Sequence, residues 1–162
     1  MTNVVGHLEA AGEALDLNFV YSNGVAKGRA GGLFDGRNVN LTCEGRRVRG
    51  MIGELVEGVR IDGRFDPHEL EFRIGDTMRG LTVLVALDGP EAQGMIRGAT
   101  QNLDFEVVRQ GQRNEGRFKF QDEPQSSGFI LQCEPDVPLS AVVVMGVCAW
   151  AALDERSDGL AD

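Results

Sequence analysis

Apolar and polar residues alternate along most of this chain, and the alternation breaks down near its end. Leu17, Phe19 and Tyr21 alternate with Asn18, Val20 and Ser22, and Asn23-Gly24 follows. Period two marks a strand with one buried face, and Asn-Gly suits a type I′ hairpin turn. The returning strand spans Val25–Ala30 and runs into Gly31-Gly32 and Asp35-Gly36. The same alternation recurs in Val39, Leu41 and Cys43, in Val59, Ile61 and Phe65, and in Leu70, Phe72 and Ile74. Leu81–Leu87 is almost continuously apolar and stops at Asp88-Gly89-Pro90, a strong turn signal. Leu103, Phe105 and Val107, then Phe118 and Phe120, then Phe129, Leu131 and Cys133 complete the series.

The break is Pro138–Leu153, sixteen residues whose only polar side chain is Ser140. The run is too long for a typical strand. Pro138 suits a first helical turn, and Ala149, Ala151 and Ala152 favour a helix. A helix that is apolar all round must be buried on every side, which places Val143, Gly146, Ala149 and Trp150 in the core. Gly146 costs the helix about 1 kcal/mol but allows a neighbouring strand to approach. Val142-Val143-Val144 also permits a buried strand.

About ten half-buried strands around a buried helix predict a closed antiparallel β-barrel. The alternative is a β-sandwich with a C-terminal helix or buried strand. Residues 1–162 read as one domain, with strands over 17–134, a helix over 138–153 and an acidic tail over 154–162. Val4, Leu8, Ala11 and Leu15 share one helical face, so residues 1–16 read as an N-terminal segment or short helix. Gly6 and Gly12 weaken that helix.

Composition sharpens the picture in three places. The 22 glycines are roughly twice the usual ~7% share and suit tight turns and bulges. A net charge of −9 argues against a nucleic-acid binder, which needs a basic surface. Cys43, Cys133 and Cys148 are too scattered for a disulfide framework or a zinc site. No basic-then-apolar leader opens the chain, and the apolar run is shorter than the ~20 residues that span a bilayer. A cytoplasmic, non-transmembrane protein is expected.

The order and spacing of several segments resemble the superfamily of tubby-like, phospholipid scramblase and LURP-one-related proteins, mainly over the last sixty residues. Those segments are Leu103-Asp104-Phe105-Glu106-Val107, Gly128-Phe129-Ile130, Asp136-Val137 and Ala141–Leu153-Asp154. Asp88-Gly89-Pro90 followed by Gly94-Met95-Ile96 resembles the family's aspartate turn and returning strand. The resemblance implies a barrel of about twelve antiparallel strands around the C-terminal helix. It also implies a non-enzymatic module that contacts a protein partner or a membrane head group. The chain departs from the family at Asp122–Gly128. Read as a calcium loop, that segment puts Pro124 and Gly128 where oxygen ligands belong and Cys133 where a bidentate glutamate is needed. The palmitoylated cysteine cluster of scramblases is missing too.

Candidate chemistry is sparse, and no cofactor motif appears. Arg46, Arg47 and Arg49 form the one dense basic cluster, and arginine forks suit phosphates. The competing reading is a solvated edge strand protected by charge. Asp62, Asp66, His68, Glu69 and Glu71 offer ligands for a divalent metal or paired carboxylates for a hydrolase, although Asp-Gly and Asp-Pro are ordinary turn chemistry. Gly28-Arg29-Ala30-Gly31-Gly32 lacks the ending of a phosphate loop. His7 and His68 have no nucleophile motif around them. The leading expectation is a binding or scaffold module. The alternatives are a barrel, oligomeric in some form, that sequesters a small anion near the arginines, and a carboxylate- or metal-dependent hydrolase.

Overall fold

The computed structural model describes residues 1–10, 13–32, 36–53, 58–75, 80–99, 102–120 and 127–153. Twelve strands form one closed barrel: β1 (Thr2–Ala10), β2 (Glu13–Ser22), β3 (Val25–Ala30), β4 (Arg37–Glu44), β5 (Arg47–Ile52), β6 (Val59–Phe65), β7 (Glu69–Ile74), β8 (Leu81–Asp88), β9 (Glu91–Arg97), β10 (Asn102–Gln110), β11 (Arg113–Lys119) and β12 (Ser127–Gln132). Each strand pairs antiparallel with its neighbours in sequence, and β1 pairs with β12 to close the ring. The helix α1 (Leu139–Leu153) fills the interior, with every residue from Ala141 to Trp150 buried. The barrel and its buried helix are those the alternation and the apolar run predict, and a sandwich is excluded.

Local chemistry explains the turns. Asn23 and Gly24 have φ of 50° and 83° and join Ser22 to Val25, as a type I′ hairpin requires. Gly45 and Arg46 repeat that geometry, at 58° and 70°, between Glu44 and Arg47.

Two segments differ from expectation. Residues 2–10 form strand β1 rather than a helix. The i, i+4 spacing of Val4 and Leu8 fits a strand as well as a helix, and Val4 and Leu8 are both buried inside the barrel. Pairing decides between them, because β1 alone joins β2 to β12 and removes both sheet edges. The second segment is the arginine-rich one, which is no edge strand: β5 pairs with both β4 and β6. The Asp122–Ser126 part of the calcium-loop segment and the tail 154–162 lie outside the described residues. Gly128 already belongs to β12.

Many glycines sit within strands rather than in turns. Gly28 lies opposite Phe19, Gly63 opposite Phe72, Gly94 opposite Phe105 and Gly116 opposite Phe129. In each case a Cβ on the glycine would overlap the facing phenylalanine. The missing side chain lets a large residue lie against the wall, which is how glycine and aromatic residues pair in curved sheets. On the helix, Trp150 stacks on Phe118 with centroids 4.9 Å apart, and Phe118 in turn meets Phe105 and Phe129 at 5.7 and 6.1 Å. Among the described residues no buried side-chain nitrogen or oxygen lacks a partner.

One polar clasp fixes the start of the helix. Arg109 on β10 donates through Nε to Asn114 Oδ1 and through Nη2 to the Val137 carbonyl, both at 2.7 Å. The fully buried Asn114 donates onward to the Leu131 carbonyl at 3.1 Å and to Cys133 Sγ at 3.5 Å. Three strands are thereby tied to the residue just before Pro138.

Candidate functional site

Strand alternation sends half of each strand's side chains outward, and antiparallel register then aligns them in rows across the wall. In one row Arg47 lies beside Arg64, and Arg64 beside Glu71. In the next, Arg49 lies beside Asp62, Asp62 beside Arg73 and Arg73 beside Thr82. Met51 stands beside Arg60 in a third. The arginine cluster of the sequence is therefore extended by residues from two other strands. Arg46 falls away from it, because it occupies the β4–β5 turn.

Ion pairs on this wall are long and solvated. Arg47 Nη2 donates to Asp62 Oδ1 at 3.5 Å, and Arg64 Nη2 to Glu71 Oε2 at 3.4 Å. Exposed pairs of this kind contribute about 0–1 kcal/mol. Arg73 Nη1 donates to Thr82 Oγ1 at 3.0 Å. Among the described residues Arg49 and Arg60 make no ion pair. An open groove of about 520 Å³ runs among Arg47, Asp62, Arg64, Glu71, Arg73 and Thr82, floored by Gly63 and Phe72. A neighbouring groove of about 550 Å³ shares Glu71 and includes Leu84 and Met95.

Arg60, Arg64 and Arg73 are the site residues that sequence reasoning missed. Each is at the polar parity of a strand whose apolar partners were recognised, so the signal was present. What was lacking was the order of the strands, which alone brings them beside Arg47 and Arg49.

The carboxylate segment resolves differently. Asp66 Oδ1 accepts the amides of His68 and Glu69 at 2.7 and 2.8 Å, an Asx turn that closes the β6–β7 hairpin. Those two amides hold the Asp66 carboxyl below the usual range. Asp62 and Glu71 each face an arginine rather than another carboxylate. Among the described residues no three histidine, cysteine or acidic side chains converge as a metal cage.

Val143, Gly146, Ala149 and Trp150 stand in the core, as their place in the apolar run requires. Gly146 admits the Phe129 ring of β12 rather than a strand backbone. Burial pushes the Cys43 thiol up to about 11 and raises the Cys148 thiol well above its ordinary range. Both are therefore protonated, unreactive thiols at neutral pH.

Among the described residues no helix is long and apolar enough to cross a membrane. Apart from Met51, the outward positions of β5, β6 and β7 are charged, which is costly against acyl chains. No protein-family model, no curated protein and no solved structure matches this chain.

Proposed function

We propose that this protein is a non-enzymatic binding module that works through its outer wall, where the arginines of β5 and β6 take an anionic group. That group is a phosphorylated or lipid head group, or the acidic surface of a protein partner. The observation that carries the reading is the grouping of Arg47, Arg49, Arg60 and Arg64 on two adjacent strands, with Asp62 the one acid among the outward residues there. A basic block on a molecule of net charge −9 directs anions to one face. With α1 occupying the barrel interior, recognition falls to the outside, and a closed barrel offers no strand edge for backbone pairing. The resemblance to tubby-like and scramblase proteins supports a binding role in the same direction.

The test is vesicle flotation, using phosphatidylcholine alone or with an added anionic phospholipid. The wild type should float only with the anionic vesicles, and less as salt rises. Arg47→Gln, Arg49→Gln and Arg60→Gln together should weaken binding by about 1 kcal/mol per arginine and flatten its salt dependence. Equal binding by wild type and triple variant would remove this wall from the mechanism. A second reading, capture of a small soluble anion, is favoured by the groove of about 520 Å³ beside the arginines, within the ~300–1,000 Å³ of ligand pockets. It predicts that a soluble phosphate ester binds without any vesicle.

A further inference from the structure

We propose that the outer face of β6 and β7 is a homotypic docking surface, covered by the same face of a second copy of this chain. Arg64 lies opposite Glu71, and Asp62 opposite Arg73. Charge therefore alternates along each strand and across the pair, a two-by-two checkerboard. A two-fold axis parallel to the strands and midway between them exchanges β6 with β7. Arg64 then faces Glu71 of the second copy, and Asp62 faces its Arg73, with both contacts repeated by symmetry. An isologous interface must be self-complementary in this way.

Three further observations favour this occupant. The quartet holds two arginines against two carboxylates, so as a unit it has no net charge to attract an anion. The excess of positive charge lies outside it, at Arg47, Arg49 and Arg60. Arg64, Asp62 and Glu71 are open to solvent, at 80%, 65% and 48%, and their ion pairs within the chain are long. Re-pairing Arg64 with Glu71 across an interface therefore sacrifices little, while the half-buried Arg73 keeps its 3.0 Å bond to Thr82. The groove of about 520 Å³ that the quartet itself lines gives the second copy's side chains somewhere to seat. The same axis lays the stem of Arg47 against Leu84 of the second copy. Because the barrel is closed, self-association cannot proceed by strand addition and must be read by side chains.

This inference stands apart from the anionic ligand, and its test separates the two. Sedimentation equilibrium of the full chain at low ionic strength should show a concentration-dependent dimer that dissociates at high salt. R64E and E71R should each weaken the dimer at least about tenfold, because like charges then meet twice across the axis. Their equimolar mixture should form a heterodimer, since the reversed charges complement each other in both contacts. Circular dichroism of each variant checks that the barrel is intact, and R49Q with R60Q should leave the dimer unchanged. A wild type that remains monomeric at low salt would overturn the proposal. So would a mixture of R64E and E71R that forms no heterodimer.

Discussion

Phe129 is held between two glycines, Gly116 on β11 and Gly146 on α1, and a Cβ at either one would overlap its ring. Gly146→Ala should therefore destabilise the fold although it improves helix propensity. The propensity gain is about 1 kcal/mol, whereas overpacking costs about 1–3 kcal/mol. Phe129→Ala should cost about 3–5 kcal/mol. Gly146→Ala should be better tolerated once Phe129 is shortened to Leu, because the two sites share one space. Urea midpoints measure all three, and a higher midpoint for Gly146→Ala would contradict the sandwiched ring. Cys43 supplies a pH dependence at the same scale. Its folded pKa of about 11 lies above its ordinary 9.0, so its contribution is complete below pH 9 and is lost as pH rises through 11. Cys43→Ala should remove part of the alkaline fall in melting temperature. Burial first, and the charge of Cys43 second, also raise Tyr21 from 10.0, so only the burial part of that share should persist in the variant.

At the scale of elements, the clasp joining β10, β11 and β12 to the start of α1 sets how far the helix enters the barrel. The hydrophobic effect that holds α1 inside is non-directional and does not define an axial position. The bonds from Arg109 to Asn114 and to the Val137 carbonyl do. Arg109→Met keeps much of the aliphatic stem and leaves both acceptors unpaired, at about 1–3 kcal/mol for each buried group. Hydrogen exchange should accelerate first in the opening turns of α1, because those amides lie next to the released carbonyl. Uniform acceleration across the barrel would mean that the clasp stabilises the whole fold without positioning the helix. The strands raise a related point of legibility. Besides β9, which entered only as the returning strand of the resemblance, nine were readable from apolar patterning and turn signals. β1 was not, since Val4 and Leu8 satisfy both periods, and β5 was read as a charged edge because its arginines obscured Val48 and Ile52, both buried.

For the whole molecule, the consequence of closure is that all backbone pairing is internal and only side chains face outward. The sign and placement of outward charge then decide what the barrel can meet. The β5–β6 block should respond to Arg47, Arg49 and Arg60 in binding anionic vesicles, and the β6–β7 quartet to Arg64 and Glu71 in self-association. The two readouts are separable because Arg49 and Arg60 lie outside the quartet and Glu71 lies outside the β5–β6 block, although Arg64 and Asp62 belong to both. By itself the sequence determined the strand parity, the Asn23-Gly24 turn and the all-apolar run, hence a mainly β fold packed on a buried segment, with a barrel favoured over a sandwich. Those features follow from local periodicity and from the need to bury an apolar segment on every side. Only the tertiary structure decided that residues 2–10 close the ring, that strand glycines seat phenylalanines, and that Arg60, Arg64 and Arg73 join Arg47 and Arg49. Each of these depends on register between strands, and register is fixed by pairing across the sheet rather than by any single segment.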